Sequence, residues 1–117
     1  MQDYTEIFKL LSDEKRLKLL LSLLEVERQV CVCDLEYILD IPQYAVSRSM
    51  KDFRGLKLVE ALRKGKYVYY QLKWPQDPFF QLLKEALVHI SLDRKELFRL
   101  KELLSRKDGE KHLHCEK

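Results

Sequence analysis

The chain has 117 residues, of which 46% are hydrophobic and 35% are charged, with a formal net charge of +3. This length fits a single domain with a modest apolar core and a highly charged surface. No apolar run approaches the roughly 20 residues that a membrane span needs, and the acidic, amphipathic start differs from a signal peptide, so we expect a cytoplasmic protein with no membrane partner.

The N-terminal third predicts two helices and a short extended segment. Apolar residues recur at helical spacing over residues 3–11, where Asp3 and Glu6 match a capping box. Ser12 is predicted to cap a second helix that runs through KRLKLLLSLLE. Residues 28–33, with the sequence RQVCVC, are predicted to be extended.

The next segment predicts a helix-turn-helix. A short helix over DLEYILD is followed by Pro42, which stops it and can be the first residue of the next helix, to about Leu56. In that helix Val46, Met50 and Phe53 share the inward face. The opposite, polar face carries Gln43, Tyr44, Ser47, Arg48 and Lys51.

A β-hairpin with a basic tip is predicted after the second helix. Residues 58–74 are rich in β-branched and aromatic side chains, and the turn is Arg63-Lys64-Gly65-Lys66, with Gly65 expected at positive φ. Together with the preceding helices this predicts a mainly α winged helix-turn-helix. After Pro75 and Pro78 a long helical region follows, in which Asp93 and Glu96 favour a restart after a break near Ser91.

The charge distribution and the second helix point to DNA. Residues 41–73 hold eight Lys or Arg and two acids, whereas the remainder is net negative, a pattern typical of a phosphate-binding surface. Gln and Arg near the start of a helix suit bidentate contacts to adenine and guanine. The DNA-binding residues are therefore predicted to be Gln43, Tyr44, Ser47 and Arg48 for bases, with Lys51, Arg63, Lys64 and Lys66 for phosphates. The alternative is an ordinary amphipathic helix beside a solvated basic face.

The three cysteines are Cys31, Cys33 and Cys115. An odd count with an i, i+2 pair is a poor disulfide framework, so we expect free thiols in a reducing cytosol. In an extended segment Cys31 and Cys33 would project to the same side, next to a helix start that favours the thiolate, and thiolates select soft ions. The alternative is a pair of small buried apolar residues.

The sequence resembles the ArsR/SmtB family of metal- and metalloid-responsive winged-helix repressors. The resemblance covers roughly residues 3–105 and is carried by LSDEKRLKLLL, by CVCDL before the helix-turn-helix, by VSR in the second of its helices and by GKYVYYQL in the hairpin. It implies a homodimer formed by the first and last helices, an inverted-repeat operator in double-stranded DNA, and metal or metalloid binding at Cys31 and Cys33.

Three positions depart from that family's pattern. Glu36 stands where arsenite-sensing members often have a third cysteine, and His89 is the one histidine of the predicted final helix, where zinc sensors have a larger ligand set. Lys57 stands where the family usually has glycine, with Gly55 two residues earlier. Candidate replacement ligands are Cys115, His112 and His114, unless the tail is a disordered polar segment with chance ligand types.

These observations predict a winged-helix DNA-binding and dimerisation domain over residues 1–106 and a flexible tail over residues 107–117. The expected function is transcriptional repression relieved by a thiophilic inducer, with arsenite or antimonite preferred over Cd, Pb or Zn ions. A thiol redox sensor and a metal-indifferent DNA-binding protein remain alternatives. An enzyme is the weakest alternative, because the chain lacks a Gly-rich phosphate loop, HExxH and a nucleophile elbow.

Overall fold

In a computed structural model, residues 4–105 form six helices and a three-stranded antiparallel sheet of order β1-β3-β2. The helices are α1 Tyr4–Leu11, α2 Glu14–Val26, α3 Val32–Leu39, α4 Gln43–Gly55, α5 Pro78–Leu87 and α6 Arg94–Leu104. The strands are β1 Val30–Cys31, β2 Val59–Lys64 and β3 Tyr67–Leu72. The helix-turn-helix α3–α4 followed by the hairpin β2–β3 confirms the winged-helix class.

Several sequence predictions fall outside the described residues. These are the capping role of Asp3 and the tail at 107–117 with His112, His114 and Cys115. Within residues 4–105, no helix combines the length and apolar character needed to cross a membrane.

The core lies where α2, α3 and α4 meet, because each presents a continuous apolar face. Leu19, Leu20, Leu35, Ile38 and Phe53 are essentially inaccessible to solvent, as are Val46 and Met50 of the predicted inward face of α4. The start of α2 differs from the prediction by one residue. Its N-cap is Asp13, whose carboxylate accepts the Arg16 amide at 3.0 Å, whereas the Ser12 hydroxyl donates back to the Lys9 carbonyl.

The predicted extended segment at 28–33 is shorter in the structure. Its strand is limited to Val30–Cys31, which pairs with Tyr70 and Tyr69 of β3. Helix α3 begins at Val32, so Cys33 lies in its first turn rather than in a strand. The Cys31 sulfur accepts a hydrogen bond from the Cys33 amide at 3.4 Å and thereby caps the helix.

The turn between α3 and α4 is tight. Asp40 adopts φ 54°, in the left-handed region, and Pro42 is the extended N-cap of α4 rather than its first helical residue. Near the C-terminal end of α4, Asp52 forms an ion pair with Arg16 of α2 at 3.8 Å. The Arg16 Nε also donates a hydrogen bond to the Leu10 carbonyl of α1.

The predicted hairpin is present, with a shorter turn than expected, since Arg63 and Lys64 belong to β2. Lys64 pairs with Tyr67 across a two-residue turn in which Gly65 adopts φ 61°, as expected. Lys57, at the position where the resembled family has glycine, also adopts a left-handed φ of 61°. The left-handed conformation at Lys57 destabilises the folded state by roughly 1–2 kcal/mol, because its Cβ crowds the following carbonyl oxygen.

The C-terminal region breaks between α5 and α6, as predicted. Asp93 and Glu96 form a reciprocal capping box at the start of α6. This helix turns back onto α2 and α3 of the same chain, where Leu100 and Leu103 are buried. Glu96 is also buried and accepts a hydrogen bond from Lys18 at 2.8 Å, which raises the pKa of Lys18 above its ordinary value.

Arg99 of α6 fixes the end of α3. Its Nη1 donates to the Tyr37 carbonyl at 2.9 Å and lies 3.0 Å from the Asp40 carboxylate. The guanidinium also stacks over the Tyr37 ring, and the Tyr37 hydroxyl donates to Glu102. Since Asp40 is the C-cap of α3, Arg99 stabilises the turn that leads into α4.

Replacing Lys57 with glycine should increase stability. Glycine accepts φ 61° without steric cost, so the substitution removes strain from the folded state. The greater entropy of glycine in the unfolded chain offsets part of this gain, and Lys57→Gly should raise the free energy of unfolding by about 0.5–1 kcal/mol. Gly65→Ala, at the same φ in the hairpin, should lower it by about 1 kcal/mol. Urea denaturation followed by circular dichroism checks both, and a destabilised Lys57→Gly variant would contradict the strain at this position.

Removing the Arg99 side chain should destabilise the domain. Arg99→Ala deletes a charged hydrogen bond and an ion pair made by a side chain that is only 17% exposed. We therefore expect the free energy of unfolding, measured by urea denaturation, to fall by about 1–3 kcal/mol. Lys95→Ala is the matched control, since Lys95 also pairs with Asp40 but is 69% exposed. Such a pair contributes little, and equal losses in both variants would contradict the role given to Arg99.

Candidate nucleic-acid interface and thiol site

Helix α4 presents a polar outer face. Gln43, Tyr44, Arg48 and Lys51 are exposed and Ser47 is half-buried, while the opposite face packs into the core. Tyr44 has 69% of its surface exposed, which is high for an aromatic side chain. The face expected to contact bases is therefore accessible along its first two turns.

The tip of the hairpin carries the predicted phosphate-binding residues. Arg63, Lys64 and Lys66 are all exposed. The Lys64 ammonium donates to Gln29 at 2.7 Å and lies over the Tyr69 ring, whereas Lys66 lies over the Tyr67 ring. These contacts hold the lysines near the hairpin and leave their charges at the surface.

The two acids of the basic segment are neutralised by cations that lie apart from the outer face of α4. Asp52 pairs with Arg16 of α2, and Glu60 pairs with Lys73 across the hairpin at 3.5 Å. Because each acid already has a partner, the positive charge of α4 and the hairpin tip is not cancelled locally.

Cys31 and Cys33 lie together at the start of α3, with Cα atoms 5.3 Å apart, and form a disulfide. The expectation of free thiols is therefore wrong for the state that the structure records. The helical first turn brings the two residues closer than an extended segment would, where two residues span about 6.6 Å. Once the disulfide is reduced, this short distance between the two residues also suits chelation of one ion by both sulfurs.

One further potential ligand, Glu36, lies three residues after Cys33 in α3 and faces the same cleft as the pair. Within residues 4–105, no group of three or more His, Cys, Asp or Glu side chains is arranged to hold a metal ion. Glu36 is half-buried one turn along α3, and His89 is exposed in the segment after α5.

A cleft of about 870 Å³ connects the thiol pair to the start of α4. Cys31 and Cys33 line one part of it, Gln43 and Ser47 another, and Lys66 of the hairpin a third. The structure thus brings the predicted inducer ligands and three of the predicted DNA-binding residues to one depression. The other five predicted residues do not line it: Tyr44, Arg48, Lys51, Arg63 and Lys64.

Three features of the site were not found from the sequence. Asp34 is buried in the first turn of α3, where the helix dipole favours an acid. Tyr69, opposite Cys31 in the sheet, has its pKa raised mainly by burial and further by the charge of Asp34. The signal for Asp34 is its place in the first turn of the predicted DLEYILD helix. The contacts of Arg99 had no such signal, because no local pattern indicates a partner about 60 residues away in the sequence.

A separate apolar surface is formed by α1 and α5. The rings of Phe8 and Phe79 are 5.8 Å apart, and Phe8 is 56% exposed. Leu82, three residues after Phe79 and so on the same helical face, is 66% exposed. The last helix, α6, buries Leu100 and Leu103 within its own chain and leaves Phe98 68% exposed.

Comparison with known proteins identifies the family. Residues 13–61 match the family described as bacterial regulatory protein, arsR family. The chain is 33% identical over 72 residues to the arsenical resistance operon repressor of Bacillus subtilis (strain 168), covering 62% of this chain and 68% of that protein. It is 39% identical over 66 residues to the cadmium resistance transcriptional regulatory protein CadC of Listeria innocua, covering 56% of this chain. It spans only 55% of the length of that relative.

The fold has solved counterparts. HlyU from Vibrio cholerae N16961 superimposes with a TM-score of 0.59 at 25% identity, covering 73% of this chain and 87% of that one. The relatives are transcriptional regulators, in agreement with the expectation that the chain is not an enzyme. The chain belongs to the ArsR family of bacterial regulatory proteins.

Proposed function

We propose that the chain is a cytoplasmic, DNA-binding transcriptional repressor, released from its operator when a thiophilic metal or metalloid binds Cys31 and Cys33. The observation that carries the proposal is the position of the pair, which caps α3 and lines the same cleft as the start of α4. The relatives' names, which concern arsenical and cadmium resistance, support an inducer of this chemical class.

In the DNA-bound state α4 would lie in the major groove with its N-terminal residues against base edges. Gln43 and Arg48 suit bidentate contacts to adenine and guanine, and Ser47 and Tyr44 adjoin them on the exposed face. Lys51, Arg63, Lys64 and Lys66 would neutralise phosphates on either side.

A homodimer would place two such helices on an inverted-repeat operator. The apolar surface of α1 and α5, with exposed Phe8 and Leu82, supports a second copy of the chain as its partner. A two-fold axis there would make the interface self-complementary, as most dimers are.

Release would follow from the connection between the thiol pair and α4. A bound ion would draw both sulfurs to one point at the start of α3. Because only the tight turn at Asp40 separates α3 from α4, a displacement of α3 would also move α4. The inducer must then bind the DNA-free conformation more tightly, and DNA must weaken inducer binding by the same factor. A coupling of about 1–3 kcal/mol corresponds to a roughly 5–150-fold loss of operator affinity.

The preferred inducer is arsenite or antimonite, with Cd, Pb or Zn ions as alternatives that thiolates also bind. A three-coordinate metalloid needs one ligand beyond the pair. Cys115, His112, His114 or an exogenous thiol such as glutathione would supply it.

Redox sensing is the second candidate function, favoured by the disulfide between Cys31 and Cys33. In that case oxidation of the pair to the disulfide, rather than ion binding, would change operator affinity. Diamide treatment of the reduced protein without any metal tests it directly. A change in operator affinity that a dithiol reductant reverses would support redox sensing, and an unchanged affinity would exclude it.

Arg48→Ala should weaken binding to an operator selected from a random duplex pool by about 1–3 kcal/mol, because a bidentate contact to guanine would be lost. Fluorescence anisotropy at fixed salt measures the change. Arg94→Ala, an exposed arginine at the start of α6, is the matched control and should leave affinity unchanged. An Arg48→Ala variant with normal operator affinity would remove this residue from base recognition.

Lys66→Ala should weaken specific and nonspecific duplexes alike and reduce the slope of log K against log salt by about one, since one phosphate contact is lost. Lys84→Ala, an exposed lysine of α5, controls for net charge. An unaltered slope for Lys66→Ala would show that the hairpin does not contact DNA at this position.

Cys31→Ser and Cys33→Ser should each abolish release by arsenite under reducing conditions while preserving operator affinity. Each removes one of two converging sulfurs but leaves the outer face of α4 intact. Cys115→Ser should only reduce inducer affinity. A double Cys31 and Cys33 variant that still releases DNA on addition of arsenite would refute the thiol site, and titration with Sb(III), Cd(II), Pb(II) and Zn(II) ranks the inducers.

A further inference from the structure

One cation of the hairpin tip reaches across the whole sheet. Opposed residues of an antiparallel sheet project to the same face, and Tyr69 of β3 stands opposite both Cys31 of β1 and Leu62 of β2. Lys64, two residues after Leu62, shares that face. Its ammonium lies 5.3 Å from the centre of the Tyr69 ring and donates to the Gln29 side chain at 2.7 Å. Lys64 thus spans the sheet from the edge strand β2 to the residue immediately before β1.

The contact with Gln29 orders a side chain that is otherwise flexible. Lysine has a four-carbon stem, and fixing such a side chain at an interface costs binding free energy. An ammonium has three donors, so Lys64 can keep its bond to the Gln29 oxygen and still donate to a DNA phosphate. The side chain is then already ordered before DNA binds. Lys66 differs, because its ammonium lies over the Tyr67 ring of the same hairpin.

Gln29 also connects Lys64 to the thiol pair. It lies two residues before Cys31, whose backbone pairs with Tyr69 and whose sulfur caps α3. Only 3% of the Cys31 surface is exposed, so its sulfur has little room to move without its backbone. A change that draws this sulfur toward a shared ion therefore displaces β1, and Gln29 with it, relative to β3 and the ring beneath Lys64.

We propose that Gln29 is a positioning residue that holds Lys64 ready for a DNA phosphate, and that an ion bound at Cys31 and Cys33 removes this support through β1. The proposal rests on the repressor function proposed above and adds the hairpin to the surfaces on which the inducer acts. Helix α4 is reached from the thiol pair through the turn at Asp40, and the hairpin is reached through the sheet.

The test is a double-mutant cycle on the full chain under reducing conditions. Gln29→Met keeps the side chain long but removes the oxygen that accepts the bond from Lys64. It should lower operator affinity roughly 2–10-fold and leave the slope of log K against log salt unchanged, because the Lys64 charge remains. Lys64→Ala should lower both, and adding Gln29→Met to it should have no further effect. Gln76→Met, at an exposed glutamine beyond the hairpin, is the matched control and should leave affinity unchanged.

Saturating arsenite tests the connection with the thiol pair. In the wild-type chain it removes the support that Gln29→Met has already removed, so both proteins should bind the operator with the same low affinity once arsenite is bound. In the DNA-free protein, the side-chain amide signals of Gln29 in a nitrogen–proton NMR spectrum report the same event. They should shift on Lys64→Ala and on addition of arsenite, whereas arsenite should not shift those of Gln76.

The outcomes separate this inference from the repressor function. If Gln29→Met leaves operator affinity unchanged, or weakens the Lys64→Ala protein as much as the wild type, the positioning role is overturned. If the deficit of Gln29→Met persists with arsenite bound, or the Gln29 signals do not respond to arsenite, the link through β1 is overturned while the positioning role stands. A wild-type chain that binds no operator refutes the repressor function and with it the DNA contact of Lys64, whereas the Gln29 signals still decide the link to the thiol pair.

Discussion

The position of α3 is the constraint on which the rest of the structure depends. This eight-residue helix is too short to be stable alone, and it is fixed by burial of Leu35 and Ile38 and by contacts at both ends. At its start the Cys31 sulfur caps the first turn and β1 pairs with β3. At its end Arg99 binds the Tyr37 carbonyl and the Asp40 carboxylate. The orientation of α4 follows, because only the turn at Asp40–Pro42 separates the two helices.

This arrangement explains how a change at two sulfurs can reach the proposed DNA-binding face of α4 over a short distance. The cap of α3, the cleft and the start of α4 adjoin one another, so neither a long pathway nor a large motion is required. The disulfide and the proposed ion binding use the same sulfur atoms and therefore exclude each other. An oxidised pair would leave the chain unable to respond to a thiophilic inducer until it is reduced.

Local patterns in the sequence were sufficient for most of the fold. The apolar spacing of α4, the glycine of the hairpin turn and the capping box of α6 each depend on neighbouring residues, and the structure confirms them. The start of α3 was misplaced because a sulfur rather than a Ser or Asp side chain caps it, which no common capping pattern indicates. The return of α6 onto α3 was missed because it depends on pairs such as Arg99 with Tyr37, which are distant in sequence. The cleft was missed for the same reason, since it forms only when β3 lies beside α3 and α4.

The central claim is that the thiol pair and the DNA-binding face of α4 are thermodynamically coupled. Its most direct test is reciprocity: arsenite affinity of the reduced protein is measured with and without saturating operator duplex, and operator affinity with and without saturating arsenite. The account predicts that both affinities fall by the same factor, within the roughly 5–150-fold range typical of such coupling. An arsenite affinity that operator DNA leaves unchanged would contradict it.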